Sequence, residues 1–317
     1  MSGARGRSFR VAASIALVLL LILFARHVDW RAAANAARGA DPRLLALAFL
    51  CNQLSLVLKG TRWWVFLRPL GVRSLSLVLR ATYAGASLNN LVVAQGGEAA
   101  RVLIVSRTSG VAASRVTSAL ALERVLDGVS YLVLLTGAAF ILDLPGTIAR
   151  WRIPALLGLV CSMIALLVLA TTSRSAPTEL ARVTTVWERA RVSMRRFASS
   201  VSETASPSRL ATGMLLSLCA WALQVATYHT IALAAHLPLP LAGSIAAMLA
   251  IGISFLIRGT PGNVGIFQVI YAMTVGSFGI AKPAAVAAAL LIQAVQIVPT
   301  VLLGSFAAHR LAAGRVV

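Results

Sequence analysis

Glu98 and Arg101 stand three residues apart in LVVAQGGEAARVLIVSR, and Glu123, Arg124 and Asp127 stand together in ALERVLDG. Positions three or four apart share a helix face, so Glu98 can pair with Arg101 and Arg124 with Asp127, leaving Glu123 for Arg101 or another base. Chemistry by these groups is the holding of charge. They form no nucleophile–base set, the chain has no P-loop, and His27, His229, His236 and His309 are scattered away from nucleophile or metal partners. Asp127 follows Arg115 by 127 − 115 = 12 residues, roughly 18 Å at ~1.5 Å per helical residue. That is near the middle of a bilayer, where an isolated charge costs at least ~2.5–3.5 kcal/mol and must face a partner or a wet cavity. Two readings follow: a neutralised network that locks helices together, or a polar cavity that receives a charged headgroup.

A second cluster, IRGTPGNVGIFQ, combines Arg258, Pro261, Gly262 and Gly265. Proline and glycine break a helix and free backbone N–H groups, so a helix start here offers an anion site beside Arg258. A plain interhelical turn uses similar residues.

The elements that must position these groups are apolar. Of 317 residues, 59% are hydrophobic and 12% charged, about half the charge share of a soluble domain. The expected fold is all-α: a polytopic membrane helix bundle with about eight spans, at roughly 9–25, 43–66, 114–142, 153–172, 209–235, 241–257, 264–281 and 284–308. The stretch 74–106, interrupted by Arg80, SLNN, GGE and Arg101, reads as a re-entrant or broken helix pair. One membrane domain occupies 1–317, with a basic loop at 174–209 inside it.

The net charge of +20, from 29 Arg and Lys against 9 acids, reflects membrane topology rather than nucleic-acid binding, because no basic face with interleaved aromatics is present. Arg5, Arg7 and Arg10 precede the first span, Lys59, Arg62, Arg68 and Arg73 follow the second, and seven arginines fall in 174–209. These regions and both termini are expected in the cytoplasm, although Arg31, Arg38 and Arg43 in the first external loop run against the rule. The N-terminus lacks a clear small-residue cleavage site and reads as a retained span. The basic segment 174–209 has apolar residues near helical spacing, suiting a helix on the inner leaflet or a solvated loop helix. Cys51, Cys161 and Cys219 are isolated packing residues.

Sliding the chain on itself by 169 residues aligns Gly96 with Gly265, Gly110 with Gly279, Ala112 with Ala281, Ala119 with Ala288 and Leu122 with Leu291. Each half then has a glycine-broken segment, a glycine turn and a long span. The two long spans are expected to run in opposite directions, the mark of an inverted repeat whose site lies where the broken segments meet.

The arrangement LNN…GGEAAR…SG…ALERVLDG, followed by TPGNVGIFQ…GSFGI…AALLIQ, resembles the lysylphosphatidylglycerol synthase transmembrane region family, the flippase-like integral membrane proteins, over roughly 10–310. The resemblance implies an inner-membrane module that moves lipids such as aminoacylated phosphatidylglycerol between leaflets, or that supports glycolipid and hopanoid pathways. It points to Glu98, Arg101, Glu123, Arg124, Asp127, Pro261, Gly262 and Gly265 as site residues. The sequence departs from the family in lacking a proline before the first motif and in carrying Phe267–Gln268 where a charged pair is common. A soluble aminoacyl-transferase domain is not part of this chain, so no enzymatic synthesis is expected.

The expected function is therefore lipid translocation across the cytoplasmic membrane, with an anionic or modified phospholipid or glycolipid headgroup passing through an intramembrane polar cavity, held by Arg101, Arg124 or Arg258 and without a cofactor or metal. The alternative is a non-transporting scaffold that recruits a lipid or glycan biosynthetic enzyme through 174–209.

Overall fold

The structure, a computed structural model, describes residues 30–91, 96–141, 153–154, 156–161, 206–254 and 263–312. The first expected span, most of the fourth and of the loop 174–209, and Arg258, Pro261 and Gly262 lie outside the described residues. All the described elements are helical: α1 (Trp30–Arg38), α2 (Pro42–Leu67), α3 (Leu75–Leu91), α4 (Gly96–Ser109), α5 (Ala113–Ile141), α6 (Pro207–Ala234), α7 (Leu241–Ser254), α8 (Ile266–Gly276) and α9 (Lys282–Ala312). Four of them, α2, α5, α6 and α9, are long and apolar enough to cross a membrane.

Local chemistry sets the helix starts. The Asp41 carboxylate accepts from the Arg43 N–H and Pro42 occupies the first turn of α2; Ser206 accepts from the Arg209 N–H and Pro207 does the same for α6. Large apolar side chains such as Leu50, Leu54, Leu215, Leu302 and Phe306 point outward. In water these would be liabilities, whereas a lipid surround suits them.

Contacts fix the directions. Asp41 donates its backbone N–H to Ala234, Ser55 its hydroxyl to the Ala220 carbonyl, and Gly213 lies against Phe66, so α2 and α6 are antiparallel. Helix α5 meets α6 through Leu126–Gly213 and Tyr131–Trp221 and runs parallel to it. Helix α3 is antiparallel to α2, and α9 is antiparallel to α3, with Gly304 pressed on Tyr83 and Ser87. The ends that gather Arg68, Arg73, Arg107, Arg115, Arg209 and Arg310 therefore lie on one side, and Arg31, Arg38, Arg43 and Lys282 on the other.

Helices α3 and α4 are the broken pair expected at 74–106. At 17 and 14 residues they extend roughly 25 Å and 21 Å, short of a ~30 Å hydrocarbon core. They pack antiparallel at Gly85 and Gly97, and both outer ends lie on the arginine-rich side. Helices α7 and α8, of 14 and 11 residues, form the matching short pair before α9.

The long helices that follow the two pairs, α5 and α9, run in opposite directions. Gly110 and Gly279, brought together by the 169-residue offset, both adopt left-handed backbone, with φ of 73° and 81°, and each sits in the turn before its long helix. Ala119 and Ala288 are both fully buried. The layout is that of the inverted repeat.

The core is split. One apolar cluster, with Trp63, Phe66, Val78, Val105, Leu122 and Leu126, fills the arginine-rich half. The other, with Tyr228, Ile231, Ile251, Phe267, Tyr271 and Ile292, fills the opposite half.

Candidate functional site

The ion-pair network lies in the first cluster. Arg101 does not turn to Glu98 on its own helix. Its stem is pinned against Gly85, where a Cβ would come within 2.4 Å of the arginine Cγ, and its guanidinium is directed at α5. There Nη2 meets Glu123 Oε2 at 2.9 Å, with the guanidinium carbon 4.2 Å from the Trp63 ring centre. Glu98 instead reaches Arg124 at 2.6 Å. The pair expected within one turn, Arg124–Asp127, is stretched to 3.8 Å, because each member has a closer partner elsewhere.

The centre of the network is a residue that sequence reasoning placed after the second span. Arg62 sits inside α2, fully buried, with Nη2 3.2 Å from Glu123 and Nη1 2.7 Å from Asp127, and it also donates to Ser217 of α6. Lys59 likewise lies within α2 rather than beyond it. Three guanidinium groups and three carboxylates thus cancel across α2, α4 and α5. Arg62, Arg101 and Glu123 are buried, while Arg124, at 46% side-chain exposure, forms the network's outer lip with Glu98 and Asp127.

One turn along α2 from Arg62, a cavity of about 210 Å³ opens between α2, α3, α6 and α9, lined by Asn52, Ser55, Lys59, Asn89, Gln224 and Gln296 among others. Apart from Asn89, these residues stand in the middle portions of three long helices, between the two apolar clusters. Pro299 in α9 lacks an N–H and so leaves the Val295 carbonyl without its helical donor at the same level. The Lys59 ammonium stands 5.5 Å from the Trp221 ring centre. No carboxylate among the described residues is within ion-pairing distance of it. Asn89 is fixed by accepting the Gly97 N–H at 2.9 Å, which leaves its amide N–H groups to the cavity.

Of Arg258, Pro261, Gly262 and Gly265 in the second cluster, only Gly265 lies within the described residues, and the anion site expected beside Arg258 falls outside them. Gly265 adopts φ of 89° at the start of α8, but its N–H is taken by Gln268 Oε1 at 2.6 Å, and Gln268 Nε2 donates to Gln293 at 2.5 Å. The 169-residue offset places Gln293 on Arg124 and Gln268 one residue past Glu98. A buried amide pair therefore stands in the second repeat where an ion pair stands in the first.

The family pattern described as the lysylphosphatidylglycerol synthase TM region matches residues 11–304. The chain belongs to this family. A comparison with curated proteins gives no match. In this lysylphosphatidylglycerol synthase TM region protein, the family pattern takes in both broken pairs, the ion-pair network and the polar cavity. It is a multi-pass membrane protein.

Sequence reasoning missed the cavity and the central arginine, yet a signal was present. Asn52, Ser55, Lys59 and Arg62 are spaced 3, 4 and 3 apart, a polar stripe along one face of an apolar helix. Gln293, Gln296 and Thr300 repeat the pattern in α9.

Proposed function

We propose that the protein moves lipid headgroups between leaflets, with the cavity at Lys59 as the mid-membrane station. The observation that carries this reading is the placement of a polar, lysine-bearing cavity between two apolar clusters at the middle of long membrane helices, where polar groups mark transport paths. Its volume falls below the ~300–1,000 Å³ of pockets that enclose a whole ligand. That suits a headgroup whose acyl chains stay outside.

A second, apolar-walled cavity of about 480 Å³, lined by Leu75, Leu79, Arg80, Tyr83, Leu303 and Ala307, follows the same α3–α9 seam toward the arginine-rich side. It offers those chains a groove. In this reading Arg101, Glu123 and Arg62 hold the wall rigid, while Arg124, Glu98 and Asp127 supply charge at its edge. The chain makes and breaks no bonds itself. The arginine-rich side faces the cytoplasm of a cytoplasmic membrane.

Purified protein in vesicles carrying tail-labelled fluorescent lipids tests the reading by bleaching of outer-leaflet label. Movement well above that of empty vesicles, and its slowing in Gln224→Leu, is the expected outcome. Rates equal to empty vesicles for every lipid overturn it, and movement that appears only with an added enzyme favours the scaffold.

A further inference from the structure

The headgroup itself can be narrowed, an inference that rests on the translocation reading. Among the described residues, the cavity wall presents one ammonium (Lys59), five carboxamides (Asn52, Asn89, Asn90, Gln224 and Gln296) and two hydroxyls (Ser55 and Thr300). It presents no carboxylate. The carboxylates in the electrostatic surroundings of Lys59 are Asp127 and Glu123, alongside Arg62 and Arg124. Asp127 is held by Arg62 at 2.7 Å, and Glu123 by Arg101 at 2.9 Å. Among the described residues the network cancels three charges against three, and Lys59 is the basic group left over beside the cavity.

The hydroxyls are partly committed: Ser55 donates to the Ala220 carbonyl and Thr300 to the Gln296 carbonyl. The Gln296 side chain lies beside the Tyr228 hydroxyl. Asn52, Asn90, Gln224 and the Asn89 amide N–H groups remain to meet a ligand. A carboxamide both donates and accepts, so it matches a hydroxyl, which does the same. A lone ammonium matches one phosphodiester. A primary or quaternary amine in the headgroup would meet no carboxylate among the described residues of the wall and would be repelled by Lys59.

We infer that the cavity selects an anionic phosphodiester lipid whose headgroup bears neutral hydroxyls, and that it disfavours amine-bearing headgroups, aminoacylated lipids included. Lys59 contacts the phosphate, and Asn52, Asn90 and Gln224 read the hydroxyls.

The test uses the full chain in vesicles with tail-labelled phosphatidylglycerol, phosphatidylcholine and lysylphosphatidylglycerol as separate probes. Wild type is expected to move the first about tenfold or more faster than the other two, because all three share the phosphodiester and only the other two bring a cationic amine against Lys59. Lys59→Gln narrows the gap to what the carboxamides alone supply, Lys59→Arg keeps the preference, and Gln224→Leu slows phosphatidylglycerol without speeding phosphatidylcholine. Equal wild-type rates for the three, or lysylphosphatidylglycerol fastest, overturn the headgroup assignment and leave translocation standing. A preference that Lys59→Gln leaves undiminished overturns the role of Lys59. No movement of any probe above empty vesicles overturns translocation itself. Should Lys59→Gln fail to fold, the wild-type ratios and the Lys59→Arg and Gln224→Leu variants decide.

Discussion

Arg62 and Arg124 carry the same charge and differ in what surrounds them. Arg62 is buried between two carboxylates and a serine hydroxyl, so Arg62→Leu leaves Asp127 with only the distant Arg124 and Glu123 with one partner. Breaking a buried pair from one side costs about 3–5 kcal/mol. Arg124 is half exposed, and exposed pairs contribute about 0–1 kcal/mol. Thermal unfolding in detergent is therefore expected to show a large loss for Arg62→Leu and a small one for Arg124→Gln. Arg62→Lys is expected between wild type and Arg62→Leu, because a point-like ammonium cannot bridge two carboxylates as a planar fork does. Equal losses for Arg62→Leu and Arg124→Gln would place the two arginines in equivalent surroundings and contradict the network described here.

The α3–α4 pair depends on backbone contact. A Cβ on Gly97 would lie 2.0 Å from the Gly85 carbonyl oxygen and 2.6 Å from Asn89, so even alanine must push the helices apart. That shift would disturb the Gly97-to-Asn89 hydrogen bond which aims Asn89 at the cavity. Gly128, in α5, has nothing within 4 Å of the equivalent position. Gly97→Ala is expected to destabilise by about 1–3 kcal/mol as overpacking does. Gly128→Ala should be neutral, or stabilise by up to about 1 kcal/mol through helix propensity. Melting curves of the two alanine variants check this, and a harmless Gly97→Ala would mean that the pair is not held at that contact.

Over the whole molecule, two short pairs and two long helices repeat with inverted direction, and the polar cavity lies between their apolar clusters. Arginine placement then sets the orientation: the side bearing Arg68, Arg73, Arg107, Arg115, Arg209 and Arg310 is expected inside. Single cysteines at Ser208 and Asn35, exposed and on opposite sides, probe this in a background without Cys51, Cys161 and Cys219. In intact cells an impermeant thiol reagent should label the Asn35 position and spare Ser208. The reverse pattern would invert the topology, and with it the side from which a headgroup first enters.

The sequence by itself determined the class of structure. Long apolar runs leave the backbone no partners but its own, so helices at 42–67, 113–141, 207–234 and 282–312 could be read within a few residues, as could the break at 74–106 and the 169-residue repeat. It also marked Arg101, Glu123, Arg124 and Asp127 as groups that must find partners at depth. Which partners they find was decided only by tertiary structure. Helical spacing favours neighbours three apart on one helix, whereas the close approach at Gly85 and Gly97 turns Arg101 to Glu123 and leaves Glu98 for Arg124. Lys59 and Arg62 looked like the basic end of a span because charge near a helix terminus usually reaches water. Inside the bundle, Arg62 is sealed by α5 and α6, and Lys59 faces a cavity whose other walls come from α3 and, more than a hundred positions away, from α6 and α9. A cavity is a property of surfaces brought together, and its polar stripe along α2 acquires a meaning only when Gln224 and Gln296 arrive opposite it.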